Sequence, residues 1–163
     1  MDKNKWINQK ILSLEQVQQQ CRIQKLKNKK IVFTNGCFDI LHHGHIDILT
    51  QAAQLGDFLI VGLNTDSSVS ALKGPERPLN HEKDRAYLLA ALLMVDAVCL
   101  FNEATPLQLI QSLKPDVLVK GGDYSLDQIV GAQEVNTWGG TTHIIPFSEG
   151  YSTTGLVTKI KSL

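Results

Sequence analysis

Three of the five histidines fall within four positions: His42, His43 and His45, around Gly44. An apolar burst, Ile31-Val32-Phe33, and a polar turn, Thr34-Asn35-Gly36-Cys37-Phe38-Asp39, precede them. A strand that enters a glycine turn and then a helix is a phosphate-binding arrangement, because free backbone N–H groups and the positive helix end meet there. Imidazoles add hydrogen-bond donors, and Gly44 lets a phosphate chain approach the backbone. The same trio could hold a metal, since ring nitrogens are common ligands, or could simply begin a helix. Against a metal, His81 and His143 are isolated and no cysteine or histidine pair has ligand spacing. Neither GxGxxG nor GxxxxGK[ST] occurs, so the dinucleotide fingerprint and the Walker loop are both absent.

Other polar residues stand where strands or helices should end. Backbone groups of Thr34, Asn35, Gly36, Cys37 and Phe38 would meet a nucleotide. Cys37 reads as a small buried residue, not a nucleophile. Asp39 could orient a histidine, hold the loop in shape, touch substrate or cap the coming helix. Lys120, Gly121, Gly122 and Asp123 close an apolar run; the glycines would let a flat base lie against the backbone, and Asp123 could bind ribose or base. Ser152, Thr153 and Thr154 open a final helix, where hydroxyls and N–H groups can bind phosphate or serve as caps.

The elements that must position these groups are legible from apolar patterning. Near-continuous bursts at 31–33, 58–63, 97–101, 116–119 and 142–145 predict strands buried on both faces of a parallel sheet. Ser13 with Gln16 predicts a capping box before the stripe Leu14, Val17, Cys21. Ile46, Leu49 and Ala53 form another stripe, as do Ala86, Ala90 and Leu93. Thr105 as cap and Pro106 at the first helical position, with Gln108, start a helix that Pro115 ends. The last helix follows Ser152-Thr153 with Leu156 and Ile160 inward. Residues 66–80 contain Gly74, Pro75 and Pro78 and read largely as a mobile loop. Together these predict a Rossmann-like, doubly wound α/β fold: a single domain with a five-stranded parallel sheet and helices on both faces. Its ligand should lie beyond the carboxyl ends of the strands.

Composition narrows the partners. The 163 residues suit one domain, and 43% apolar with 20% charged residues reads as globular. Lysine plus arginine equals aspartate plus glutamate, 16 each, which argues against broad binding to nucleic acid or an anionic membrane. Three scattered cysteines without CxxC argue against a disulfide framework and fit a cytoplasmic protein. The first residues lack the apolar core and cleavage site of a signal peptide, and no apolar run approaches a membrane span.

TNGCFD followed by HHGH resembles the HxGH signature of the cytidylyltransferase-like nucleotidylyltransferases, and EGYSTT, residues 149–154, resembles their second motif. With LKGPERPLN, DRAYLLAAL, VKGGDY and IVGAQEV between them, the chain is most similar to the branch that adenylylates D-glycero-β-D-manno-heptose 1-phosphate for lipopolysaccharide. The resemblance covers about residues 28–163, a nucleotidylyltransferase domain; residues 1–27 form a helical extension that matches less specifically. It implies transfer of AMP from ATP to the sugar phosphate with loss of pyrophosphate. It gives His42 and His45 the phosphates of ATP, Lys73 the reacting phosphates, and Arg85 the acceptor phosphate, with Arg77 a further substrate-side residue. Arg85 could instead form a surface ion pair with Glu82 or Asp84. His43 is carried over without a role. Mg²⁺ would ride on the triphosphate with few protein ligands, no metal ligand being assigned, and the chain would form a homodimer or higher homo-oligomer. Phe147 and Ser148 stand where cytidylyl members carry an arginine-threonine pair, which favours an adenylyl donor. The competing readings are a cytidylyltransferase acting on glycerol 3-phosphate or another alcohol phosphate, and an inactive nucleotide-binding regulatory subunit.

Overall fold

The protein is described from a computed structural model, covering residues 2–147 and 150–163. Five strands are present: β1 (Ile31–Gly36), β2 (Phe58–Asn64), β3 (Ala97–Phe101), β4 (Val117–Gly121) and β5 (Thr141–Ile145). They form one sheet of order β3-β2-β1-β4-β5, and every pairing is parallel. Chain order reverses between β1 and β4, so the crevice for a ligand opens above their carboxyl ends.

The apolar bursts split by side-chain alternation between two cores. Val32, Leu59, Val61 and Leu63 face α3 (His43–Ala53) and α5 (Glu82–Ala91), whose Leu49, Ala52, Ala86 and Leu89 are buried with them. Ile31, Phe33 and Ile60 face the other way, toward Val17 and Cys21 of α2 (Leu14–Leu26), Leu109 and Ile110 of α6 (Leu107–Leu113) and Val135 of α7 (Ala132–Thr137). Helices thus cover both faces, as a doubly wound sheet requires.

Residues 2–27 are built into this body. Ser13 and Gln16 form the capping box of α2. Between α1 (Lys3–Asn8) and α2 the chain pairs with β3: Leu12 N–H donates to Val98 O at 2.9 Å, and Val98 N–H to Lys10 O at 2.8 Å. That strap covers one edge of the sheet.

Several sequence expectations are corrected. Residues 66–73 form a helix, α4 (Asp66–Lys73), started by Thr65, whose hydroxyl accepts from Ser68 N–H; only 74–80 is irregular. Pro106 sits one place earlier than expected, at the cap itself, and Thr105 makes no cap, so α6 begins at Leu107. Leu93 lies past the end of α5 and is exposed. In α8 (Thr153–Lys161), Leu156 and Ile160 do not face inward; they are 37% and 64% exposed, and no residue of that helix is buried.

Candidate active site

A cavity of about 550 Å³ opens over the carboxyl ends of β1, β2 and β4, a size that suits a small-molecule ligand. Of the residues singled out in the sequence, Thr34, Asn35, Gly36, Cys37, Phe38 and Asp39 line it from the β1 exit. His45 comes from α3, Lys73 from α4, Lys120 and Gly121 from β4, and Thr153 from α8. His42, Gly44, Arg77, Arg85, Gly122, Asp123, Ser152 and Thr154 lie outside this lining. Of the second motif and its flank, Ser148 and Glu149 lie outside the described residues.

The β1 exit is shaped by Gly36 and Phe38. A Cβ at Gly36 would stand 3.0 Å from the Phe38 ring, so glycine makes room for that ring. Phe38 itself takes the left-handed backbone, φ 44, a costly state for a bulky residue that often marks a functional loop. Its ring then tilts against His45, with centroids 5.1 Å apart.

The imidazoles of His42 and His45 stack, with centroids 3.9 Å apart and planes 23° from parallel. His42 is the cap residue of α3 and no side chain caps that helix; its carbonyl accepts the His45 N–H at 2.9 Å, which leaves the His43 and Gly44 amides available. Gly44 is buried in the same turn, between His42 and Tyr151. Nδ1 of both histidines is buried without a hydrogen-bond partner. Such an atom costs free energy until a ligand completes it, and it is common where function requires it. Burial, then the nearby His42 and Lys73, hold the His45 imidazole down to about 4, and burial lowers His42. Burial thus disfavours the imidazolium form of both rings.

That depression makes a stability prediction. Unfolded His45 takes a proton near 6.5, whereas the folded side chain does so only near 4. Between those values the unfolded chain binds more protons, so falling pH favours unfolding. The contribution is absent above about pH 6.5, grows as pH falls to about 4 and is constant below. His45→Gln should flatten the melting-temperature profile within that window relative to the parent protein. Parallel profiles for the two proteins in a pH series would show that this imidazole is not depressed.

Two arginines expected at the substrate are engaged by the protein itself. Arg85 is 0% exposed. Its Nε donates to Asn80 O at 3.0 Å, Nη1 to Cys37 O at 2.5 Å and Nη2 to Asp66 Oδ1 at 2.8 Å. The surface ion pair with Glu82 or Asp84 is not formed; the partner is Asp66. Burial alone would raise the Asp66 carboxyl, but Arg85 and His81 outweigh it and hold it below the usual range. Arg77 Nε lies 2.9 Å from Asp39 Oδ2, a charge contact without hydrogen-bond alignment. Asp39 is buried and accepts from Leu79 N–H and Asn80 N–H at 2.8 and 2.9 Å. Asp39 caps no helix; it ties the β1 exit to residues 77–80.

The cations left facing the pocket are Lys73, exposed at the end of α4, and Lys120. Lys120 Nζ lies 3.4 Å from Asn35 Oδ1, and among the described residues no carboxylate pairs with it. Burial lowers it below the ordinary lysine range, with Cys37 opposing. A half-buried cation without a carboxylate partner suits an anionic ligand. Ser152 caps α8 through Gly155 N–H at 2.9 Å. Asp123 is exposed. Among the described residues no three His, Cys, Asp or Glu side chains gather where they could hold a metal ion, and none of their helices is long and apolar enough to cross a membrane.

Sequence reasoning missed Asn64, Tyr124 and the wall role of Phe147, all of which line the cavity. Asn64 was detectable as a polar residue closing an apolar run; it is buried and donates to Ser68 Oγ at 2.9 Å.

The sequence profile of the cytidylyltransferase-like family matches residues 33–159. The bifunctional protein HldE of Magnetococcus marinus is 52% identical over 153 residues, 94% of this chain and 31% of that protein. HldE of Helicobacter pylori is 52% identical over 152 residues, 93% of this chain and 31% of that protein. The chain thus spans about a third of the length of the curated relatives it matches. The crystal structure of the lipopolysaccharide core biosynthesis protein from Thermoplasma volcanium superposes with a TM-score of 0.60 at 32% identity, covering 76% of this chain and 99% of that one. Pantoate-beta-alanine ligase from Francisella tularensis, solved with a β,γ-ATP ligand and β-alanine, superposes with a TM-score of 0.62 at 17% identity, covering 94% of this chain and 72% of that one, a likeness of fold alone. Because the profile runs from Phe33 in β1 to Lys159 in α8, taking in every element that lines the pocket, the chain belongs to the cytidylyltransferase-like family.

Proposed function

We propose that this chain transfers AMP from ATP to D-glycero-β-D-manno-heptose 1-phosphate, releasing pyrophosphate and giving ADP-heptose for lipopolysaccharide synthesis. The observation that carries the reading is the stacked pair His42–His45 at the uncapped start of α3, with both Nδ1 atoms buried and unpartnered. Similarity to HldE and to a lipopolysaccharide core biosynthesis protein supports the acceptor class. The triphosphate lies along the β1 exit, with His45, Lys73 and the first amides of α3 on its phosphates and Lys120 on an oxyanion deeper in the crevice. Thr153 reaches the phosphates from the far wall. Asp39, Arg77 and Arg85 hold the loop that these groups depend on.

An oxygen of the sugar phosphate attacks the α-phosphorus of ATP. The new P–O bond forms as the bond to the β-phosphate oxygen breaks, and pyrophosphate leaves with that electron pair. A phosphate monoester is nucleophilic near neutral pH, so no general base is required. Alignment and charge stabilisation supply the rate. Mg²⁺ would travel with ATP; among the described residues no carboxylate set gathers to hold it, and no step here runs through it. The enzyme works in the cytoplasm as a homodimer or higher homo-oligomer.

Pyrophosphate release tests this with ATP or CTP against heptose, hexose and polyol phosphates. Release is expected with ATP and the heptose 1-phosphate. Faster release with CTP and glycerol 3-phosphate would overturn both donor and acceptor.

A further inference from the structure

The pocket carries two exposed rings that none of the steps above uses. Tyr124 and Phe147 line it beyond the ends of β4 and β5 and are 45% and 56% exposed. Their edges converge on Gly122, where a Cβ would stand 2.7 Å from Tyr124 Cε2 and 3.1 Å from Phe147 Cε2. Gly122 has φ 133, a backbone state open to glycine and strained for other residues, and its N–H is fixed to Ile145 O at 2.9 Å. The link from β4 to β5 therefore brings the rings together. They do not stack on one another, nor, among the described residues, on any other ring. Their faces remain free at one wall of a concave site, and Gly121 beside them presents bare backbone.

The same cavity is also lined by His45 and Lys73. A ligand held there by its phosphates extends toward the β4–β5 side, where a flat group meets the rings. Stacking a base on an aromatic face suits any base, and the two-ring purine covers more of that face than a pyrimidine.

We propose that Tyr124 and Phe147 form the base platform of this pocket, and that stacking on them gives the site its preference for a purine over a pyrimidine nucleotide. The proposal rests on reading the pocket as a nucleotide site, and its test separates the two. Binding of ATP, CTP and inorganic tripolyphosphate is measured by calorimetry for the parent protein, Tyr124→Ala, Phe147→Ala and Tyr124→Phe. Each alanine variant should weaken ATP roughly 5- to 150-fold, weaken CTP less and leave tripolyphosphate unchanged. Tyr124→Phe should bind ATP as the parent does. Unaltered ATP affinity in both alanine variants overturns the platform, as does an equal loss for ATP and tripolyphosphate. Parent protein that binds tripolyphosphate as tightly as ATP overturns the platform while sparing the phosphate site. Parent protein that binds neither overturns both readings.

Discussion

Replacing His45 with alanine should lower the single-turnover rate of pyrophosphate release roughly 10²- to 10³-fold, the effect of deleting one donor aimed at developing charge. The melting temperature should fall by only a few degrees. The rate effect is large because this ring, unlike His42, lines the pocket directly, and its Nδ1 is left without a partner by the fold. A neutral, desolvated imidazole needs no reorganisation when charge builds on the departing phosphates, so its interaction is stronger in the transition state than in the ground state. The stability effect is small because the ring's neighbours are Phe38 and the partly exposed His42, and its loss orphans no backbone group. His42→Ala should cost less in rate, since that ring acts by stacking on His45. An unchanged single-turnover rate in the His45 variant would sink the phosphate role. A collapse in melting temperature matching the lost activity would make the residue structural.

Strands β1 to β4 were readable because a sheet buried on both faces leaves continuous apolar runs, and those at 58–63 and 97–101 are too short and too uniformly apolar for a half-exposed helix; the edge strand β5 departs from that expectation, with Ile145 alone buried. Helix α4 was hidden by its neighbours. Gly74, Pro75 and Pro78 drew attention to a loop, although Thr65, Asp66 and Val69 already supplied a cap, a first-turn acid and a buried position. Periodicity in α8 revealed an apolar face at Leu156 and Ile160 but could not say that no other element would cover it. In the site, the HHGH cluster was legible because glycine and imidazole at the end of a strand have few structural uses. What a side chain is already bonded to was not legible. The acceptors for Arg85 include carbonyls of Cys37 and Asn80, which share no sequence signature and meet only once β1 and α5 are packed. Tyr124 and Phe147 are likewise neighbours only through the β4–β5 pairing that aligns Gly121 with Ile145.

Sequence and structure assign Arg85 opposite roles. As a contact to the acceptor phosphate, its loss would raise the KM of the sugar phosphate and leave the fold alone. The structure makes it a positioning residue. Its guanidinium joins the β1 exit at Cys37, the turn before α5 at Asn80 and the start of α4 at Asp66, and it is wholly buried. Arg85→Ala removes the donors from two backbone carbonyls, leaves the Asp66 carboxylate without its main partner and opens a cavity. Breaking a buried ion pair of this kind costs about 3–5 kcal/mol, and the low end applies because Asp66 is partly exposed and regains water. For a chain of this length a loss of about 3 kcal/mol lowers the melting temperature by roughly 6–12 °C. Activity should fall even well below the new melting point, in kcat more than in the KM of the acceptor, because the loop that carries Phe38 against His45 loses its anchor. Arg85→Lys should recover only part of either effect, since one ammonium cannot reach three acceptors arranged for a planar fork. A thermal scan beside steady-state kinetics on the two variants decides the matter: an unmoved melting temperature with a raised acceptor KM alone would return Arg85 to the substrate.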